Sequence, residues 1–158
     1  GLHNKGDVHA GFQGEINKVW DDLNFTVADI QDRNIYITGH SLGAAMATLA
    51  TSRFEEFTKV TQLTTFGSPR VGTRKFVKNI STPHYRFVNN NDIVTKVPLW
   101  IMGYKHHGIL QYINFYGNIR KLTPWQMIKD KWRGYKSGVL DGAKDHGMGN
   151  YVRFTKDI

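Results

Sequence analysis

A serine lies between two glycines in the segment Gly39-His40-Ser41-Leu42-Gly43, a spacing typical of a nucleophilic serine. The β-branched and aromatic residues at 35–38 predict a buried strand before it, and apolar residues at helical spacing over 42–57 predict a helix after it. Together they predict a nucleophile elbow, a tight turn that lifts the serine hydroxyl clear of the sheet. Because strand and helix pass close together at such a turn, we expect no room for side chains at Gly39 and Gly43. The alternative is a glycine-rich turn that contains a serine by chance.

A nucleophilic serine requires a base that accepts its proton and a carboxylate that orients the base. In the hydrolase fold that uses this elbow, the serine comes first in the chain, then the acid, then the histidine. Asp92 follows a predicted strand at 85–88 and is the candidate acid, with an Asx turn in its Asn-rich loop as the alternative. The other acidic residues after the elbow fit less well, because they lie in a predicted helix, near the chain end or beside the candidate base: Asp130, Asp157, Asp141 and Asp145.

The candidate base is His146, which lies on a glycine-flanked loop after the last predicted strand. His106 and His107 are the alternatives, although they fall in a strand-like stretch where histidines are usually structural. His40 is next to the serine, where we expect it to pack, to form a hydrogen bond or to contact substrate.

Hydrolysis of an ester also requires N–H donors for the oxyanion of the tetrahedral intermediate. The backbone N–H of Leu42, at the start of the predicted helix, is one candidate donor. A loop between an earlier strand and helix normally supplies the second, and the residues before His9 contain no such strand and loop. The remaining histidines show no metal-ligand spacing, so the sequence predicts neither a metal nor a cofactor.

Strands alternate with helices along the rest of the chain. Residues 16–30 have the periodicity of an amphipathic helix, residues 60–66 read as a strand, and residues 103–116 read as a hairpin or as a strand with a bent partner. Thr123 and Pro124 predict the start of another helix. This alternation predicts a single α/β domain over residues 1–158, with a largely parallel sheet. A hydrophobic content of 40% is sufficient for a core.

The net charge of +8 is unevenly distributed. Residues 1–69 contain five basic and eight acidic side chains, whereas residues 70–158 contain 16 basic and five acidic ones. Such asymmetry indicates a lipid headgroup surface, a nucleic acid or simply a solvated basic face, and the absence of a nucleic-acid-reading motif disfavours the second. The chain has no cysteine, no signal-peptide pattern and no apolar run of membrane-spanning length, so secreted and cytoplasmic locations both stay open.

Several segments together resemble the class 3 (fungal-type) lipases. The elbow at 38–45 is similar to theirs, as are the segments at 8–12 and 66–72, the acid loop at 85–98 and the histidine loop at 145–151. The resemblance implies an α/β-hydrolase fold, serine esterase chemistry on acyl glycerols, and a triad of Ser41, Asp92 and His146.

The chain departs from that family at its beginning. In the family, an upstream strand with its turn supplies the second oxyanion donor, and a mobile lid also lies upstream. We therefore expect residues 1–158 to be the C-terminal part of a lipase-like domain. The strand at Asn34–Thr38 would then be an open sheet edge, covered by an N-terminal fragment, by a second copy of the chain, or left partly disordered.

The expected substrate is a lipid acyl ester, as for a triacylglycerol lipase. Phospholipase A1 activity, small-ester or feruloyl esterase activity, and a crippled module that binds lipid surfaces are the alternatives. Leu99, Trp100 and Ile101 form an apolar run that could line an acyl groove, rest on a lipid surface or pack in the core. The helix predicted at 125–136 combines tryptophans with basic residues and is a second candidate for lipid-interface contact.

Overall fold

A mostly parallel sheet with helices beside it forms the frame of the protein. The computed structural model describes residues 6–30, 32–129 and 144–156. Its helices are α1 (Ala10–Ala28), α2 (Leu42–Phe54), α3 (Arg74–Lys78) and α4 (Met148–Thr155). Its strands are β1 (Ile35–His40), β2 (Val60–Phe66), β3 (Gly72–Thr73), β4 (His84–Asn89), β5 (Tyr104–Lys105), β6 (Ile109–Ile113) and β7 (Ile119–Arg120). Residues 124–129 are also helical, and Val94–Lys96 and Trp100–Met102 form 3₁₀ turns.

The main sheet has the order β1-β2-β4-β6-β7. The pairs β1–β2, β2–β4 and β4–β6 are parallel, and β7 is antiparallel to β6. The predicted α/β architecture with a largely parallel sheet is therefore confirmed. Because parallel strands end at the same edge of a sheet, the loops after β1, β2 and β4 converge there.

Small side chains let α2 lie against the sheet. Ala44, Ala45 and Ala47 are buried, and a core of α1, α2, β1 and β2 residues extends from them to Phe76 of α3. The buried Thr48 hydroxyl donates to the Ala44 carbonyl at 2.9 Å, so its burial leaves no donor unpaired. The apolar side predicted for α1 includes Ile16, Val19, Leu23 and Val27. Ile16 and Val27 are buried, but Val19 and Leu23 are exposed.

Two sequence-based expectations about element boundaries are wrong. The helix predicted to reach Phe57 ends at Phe54, and the Glu55 carboxylate beyond it accepts hydrogen bonds from the backbone N–H groups of Ser81 (3.0 Å) and Thr82 (2.6 Å). Of the two alternatives for residues 103–116, the hairpin is the one that is wrong. The strand β5 pairs with β3 in a separate two-stranded sheet, whereas β6 joins the main sheet beside β4.

The predicted helix start at Thr123 is confirmed. The Gln126 N–H donates to the Thr123 hydroxyl at 3.3 Å, and the Thr123 N–H donates to the Gln126 side chain at 2.8 Å, which is a capping box. The remainder of the predicted helix, including Trp132, Arg133 and Lys136, lies outside the described residues.

The edge of the main sheet is formed by β1. Within the described part of the chain, β1 pairs with β2 and has no strand on its other side. Tyr36, the second residue of β1, is 66% exposed. None of the helices within the described ranges combines the length and apolar character needed to cross a bilayer.

Candidate active site

Ser41 occupies a strained position between β1 and α2. Its φ is 57°, in the left-handed region that residues other than glycine rarely adopt, and its N–H donates to the Phe66 carbonyl of the neighbouring strand at 3.1 Å. A Cβ at Gly39 would lie 2.3 Å from the Gly43 carbonyl oxygen, so the exclusion predicted there is confirmed. The same prediction for Gly43 is wrong, because a Cβ at Gly43 would meet no described atom within 4 Å.

The structure brings Ser41, His146 and Asp92 together from three separate loops. Ser41 Oγ lies 2.7 Å from His146 Nε2. His146 Nδ1 lies 2.9 Å from Asp92 Oδ1 and 3.0 Å from Asp92 Oδ2. This geometry fits a neutral imidazole whose Nδ1–H donates to the carboxylate and whose Nε2 accepts the serine proton.

The Asp92 carboxylate is completely buried and surrounded by donors. Besides His146, the Val94 N–H donates to Oδ1 at 2.9 Å and the Tyr151 hydroxyl donates to Oδ2 at 2.5 Å. Burial, reinforced by the adjacent Asp92 charge, raises the pKa of Tyr151 above its ordinary value. The phenol therefore stays protonated and acts as a donor.

One ring-stacking contact and a set of hydrogen bonds hold the His146 loop against the sheet. The His40 ring stacks on the His146 ring at 4.7 Å between centroids, and His40 Nε2 lies 2.8 Å from the His146 carbonyl oxygen. The side chain of Asn89, the last residue of β4, donates to the Asp145 carbonyl at 3.0 Å. The Asn91 N–H donates to the Asp145 carboxylate, also at 3.0 Å. These contacts fix the His146 loop relative to the end of β4 and to the loop that carries Asp92.

A glycine is required where β2 ends beside Asp92 and His146. Gly67 has a φ of +58°, and a Cβ on it would lie 2.7 Å from Asp92 Oδ2 and 2.9 Å from His146 Nδ1. A side chain at this position would therefore push apart the carboxylate and the imidazole.

The alternative bases lie in other environments. His106 Nε2 bonds to the Thr95 carbonyl at 2.8 Å, and His84 and His107 bond to each other through their Nδ1 atoms at 3.0 Å. Burial is the main cause that lowers the pKa of His84 and of His106 to about 3, and nearby Arg86 contributes in both cases. These histidines are neutral packing groups at ordinary pH.

The alternative acids differ as well. The Asp145 carboxylate accepts the Asn91 N–H. Asp130, Asp141 and Asp157 lie outside the described residues. No three His, Asp or Glu side chains within the described ranges are grouped so as to hold a metal ion.

The remaining predicted site residues are Leu42, Leu99, Trp100 and Ile101. Leu42 begins α2, so its N–H is one of the first-turn donors that have no acceptor within the helix. Leu99 and Ile101 are 57% and 74% exposed, respectively, and are not core residues. Trp100 begins the 3₁₀ turn that follows Leu99, and its side chain lies outside the described part of the chain.

No sequence pattern indicates a role for Tyr151, and Gly67 is recognisable in the sequence only as part of a loop. The signal for Tyr151 is its position five residues after His146, one turn into α4, where it points back at the acid loop. Gly67 directly follows β2, but its positive φ is visible only in the folded chain.

Residues 1–102 match the family model described as lipase (class 3). The toxin TseL of Vibrio cholerae is 42% identical over an alignment that covers 92% of this chain and 30% of TseL. The secreted mono- and diacylglycerol lipase A of Penicillium cyclopium is 38% identical over 61% of this chain and 34% of the relative. The chloroplastic phospholipase A(1) DAD1 of Arabidopsis thaliana is 47% identical over 41% of this chain and 16% of its own.

Solved structures of similar proteins agree in fold. The triacylglyceride lipase of Rhizomucor miehei superposes with a TM-score of 0.62 at 31% identity, covering 67% of this chain and 44% of the lipase. A mutant of the Penicillium cyclopium lipase MDLA superposes with a TM-score of 0.64 at 28% identity. The superposition covers 88% of this chain and 56% of the MDLA chain. The chain thus has the α/β-hydrolase fold and spans about a third of the length of the first two curated relatives.

Proposed function

The chain belongs to the class 3 lipase family, and on that premise we propose that it hydrolyses lipid acyl esters with Ser41, His146 and Asp92 as its catalytic triad. The observation that carries this proposal is the continuous path from Ser41 Oγ to His146 Nε2 (2.7 Å) and from His146 Nδ1 to both Asp92 oxygens. The left-handed backbone at Ser41 supports it, because strain of this kind is typical of a nucleophile elbow.

In the proposed reaction, Ser41 Oγ attacks the ester carbonyl while His146 Nε2 accepts the hydroxyl proton. The Leu42 N–H stabilises the negative oxygen of the tetrahedral intermediate. His146 then gives the proton to the departing alkoxide, and an acyl-serine remains. Water deprotonated by His146 attacks this ester, and the fatty acid leaves as Ser41 regains its proton. Asp92 stays ionised throughout and stabilises the imidazolium.

The names of the relatives support an acylglycerol as the substrate. Two of them are described as a mono- and diacylglycerol lipase and a triacylglyceride lipase. A phospholipid is the second candidate, because one relative is described as a phospholipase A(1) and because residues 70–158 are strongly basic. His40 would support the His146 ring by stacking on it, whereas Leu99, Trp100 and Ile101 would contact the lipid.

A soluble short-chain p-nitrophenyl ester tests the chemistry without a lipid interface. The wild-type chain should hydrolyse it, and Ser41→Ala should lose about 10⁶-fold in turnover, as serine knockouts do. An organophosphonate should label Ser41, identified by peptide mass spectrometry, in the wild type only. Labelling of another serine, or no difference between the two proteins, would reject the triad in favour of a module that binds lipid without turnover.

We further propose that residues 1–158 act as the C-terminal part of one hydrolase domain, in which another strand covers the open edge of β1. An N-terminal segment or a second copy of the chain would supply this strand, and the N-terminal segment would also bring a second oxyanion donor. Loss of one such donor typically costs about 10²–10³ in rate. Addition of the covering strand should therefore raise turnover and slow the amide exchange of β1. A monodisperse monomer of these residues with lipase-like rates would contradict this proposal.

A further inference from the structure

The surface formed by residues 57–129 has no acidic side chain to offset its positive charge. This stretch contains eleven Lys and Arg residues, and its single acidic residue is Asp92. Asp92 is completely buried, and its carboxylate is hydrogen-bonded within the candidate site. The charge that these residues present to solvent is therefore positive only, which attracts anions at the surface.

An exposed apolar loop interrupts this basic surface. The apolar loop consists of residues 93–102, between Asp92 and β5, and its exposed side chains include Leu99, Ile101 and Met102 at 57%, 74% and 61%. Ile93 and Val97 are also exposed. Exposed apolar side chains that cluster in one segment mark a site of contact with another apolar phase.

The backbone of the apolar loop is held in place while its side chains face outward. The Arg70 N–H donates to the Val97 carbonyl at 2.8 Å, and the Arg70 guanidinium donates to the Pro98 carbonyl at 2.8 Å and also to that of Lys96. Within the loop, the Met102 N–H donates to the Leu99 carbonyl at 2.9 Å. Because the backbone is already ordered, contact of its side chains with a partner costs little conformational entropy.

Basic side chains adjoin the apolar loop. Lys96 is exposed within it, and the loop leads directly into β5, whose Tyr104 pairs with Thr73 of β3. Arg74 and Lys75 follow Thr73 on α3 and are also exposed. Asp7 lies against the opposite edge of β3, where its carbonyl accepts the Thr73 N–H, so this region has more cations than carboxylates.

We propose that the apolar loop, with Lys96, Arg74 and Lys75, is a docking surface for an anionic phospholipid bilayer. The apolar side chains enter the boundary between headgroups and acyl chains, and the cations bind the phosphates around them. A nucleic acid would use the cations but has no apolar layer for Leu99 and Ile101, so the combination favours the bilayer. The apolar loop directly follows Asp92 in the chain, so a bilayer bound there would meet the segment next to the candidate acid.

This inference rests on the proposed lipid substrate, but its test does not require turnover. The Ser41→Ala chain is co-sedimented with vesicles of phosphatidylcholine alone and of phosphatidylcholine mixed with phosphatidylglycerol, at low and high salt. Binding should require phosphatidylglycerol and weaken with salt. The double variant Leu99→Ser/Ile101→Ser should lose binding by at least about tenfold, because the transfer of its apolar side chains into lipid is removed.

The double variant Lys96→Glu/Arg74→Glu should weaken binding to the anionic vesicles by on the order of tenfold or more, since each basic residue near such a surface contributes to affinity. A glutamate at position 74 lies in the first turn of α3, where negative charge favours the helix, so folding should be retained. Matched controls are Phe25→Ser on α1, which removes an exposed apolar side chain, and Lys59→Glu before β2, at the end of the sheet opposite Ser41.

The docking surface is rejected if the control variants lose as much binding as the loop variants, or if binding ignores lipid charge and salt. It is also rejected if duplex nucleic acid binds more tightly than the vesicles and the Leu99→Ser/Ile101→Ser change has no effect. If the wild type hydrolyses the soluble ester but does not bind vesicles, only the docking surface is rejected. If the wild type binds vesicles but does not hydrolyse the soluble ester, only the proposed hydrolase function is rejected.

Discussion

The Tyr151 hydroxyl joins the backbone of β4 to the Asp92 carboxylate. It accepts the Asn89 N–H at 3.0 Å and donates to Asp92 Oδ2 at 2.5 Å, and Tyr151 itself is completely buried. The phenol thus gives Asp92 Oδ2 a hydrogen-bond donor of its own. Without the phenol, Oδ2 would share the Nδ1 proton of His146 with Oδ1. We therefore propose that Tyr151 is a positioning residue, which acts on the proposed reaction through Asp92.

Tyr151→Phe should lower kcat by on the order of tenfold, well short of the loss on removing a triad member. Without the phenol, the Asp92 charge is less compensated and stabilises the His146 imidazolium more strongly. The acidic limb of the pH profile of kcat/KM should therefore move to higher pH. The soluble ester assay across pH measures both effects. A variant that loses stability but keeps the wild-type pH profile would reduce Tyr151 to a packing role.

Gly67→Ala should abolish most activity while leaving a folded protein. The methyl group would lie within 3.0 Å of both the Asp92 carboxylate and the His146 ring, at a φ that alanine rarely adopts. Gly14→Ala is the matched control, because its site on α1 has open space and alanine favours a helix by about 1 kcal/mol over glycine. Urea unfolding and ester turnover should show a slightly more stable, active control and an inactive Gly67 variant. Full activity in the Gly67 variant would contradict the close approach seen at the triad.

His146→Ala and His106→Ala should separate catalysis from stability. Loss of His146 should lower turnover by roughly 10⁴–10⁶ with little change in melting temperature, because its side chain is partly exposed and lies outside the hydrophobic core. Loss of His106 removes the bond to the Thr95 carbonyl and should cost about 1–3 kcal/mol of unfolding free energy, with activity falling only as the protein unfolds. If the two effects are reversed, the base has been misassigned.

The buried histidines should make the fold sensitive to acid. His84 and His106 have a pKa of about 3 in the folded chain, below the ordinary value of 6.5. Between these values the unfolded chain binds protons that the folded chain does not, so stability falls as the pH falls from about 6.5 toward 3. The slope is at most about 1.4 kcal/mol per pH unit for each histidine.

Urea unfolding at pH 7, 6 and 5 measures this slope. The variant His106→Gln retains a donor near the Thr95 carbonyl but does not titrate, so its unfolding free energy should depend less on pH. An equal pH dependence in wild type and variant would exclude His106 as a source of acid sensitivity.

Local sequence determined the catalytic candidates and most elements. The elbow was predictable because a strand, the Gly-x-Ser-x-Gly turn and a helix are consecutive in the chain, and each has its own short-range pattern. Asp92 and His146 followed from the order in which this fold places an acid and a base after its strands. The parallel character of the sheet followed from strands that alternate with helices.

Only the tertiary structure decided which distant groups support those candidates. Tyr151 reaches Asp92 across 59 positions of the chain, and His40 stacks on a ring 106 positions away; no local pattern encodes such contacts. The sequence also did not indicate that β5 pairs with β3 and not with β6. The composition of such a short strand does not depend on its partner, so it cannot identify that partner. The need for glycine at position 67 arises because β2 ends against a pair of side chains that come from two later loops. Contacts of this kind depend on how the loops and helices pack against the sheet. The short-range periodicity of the sequence does not specify that packing.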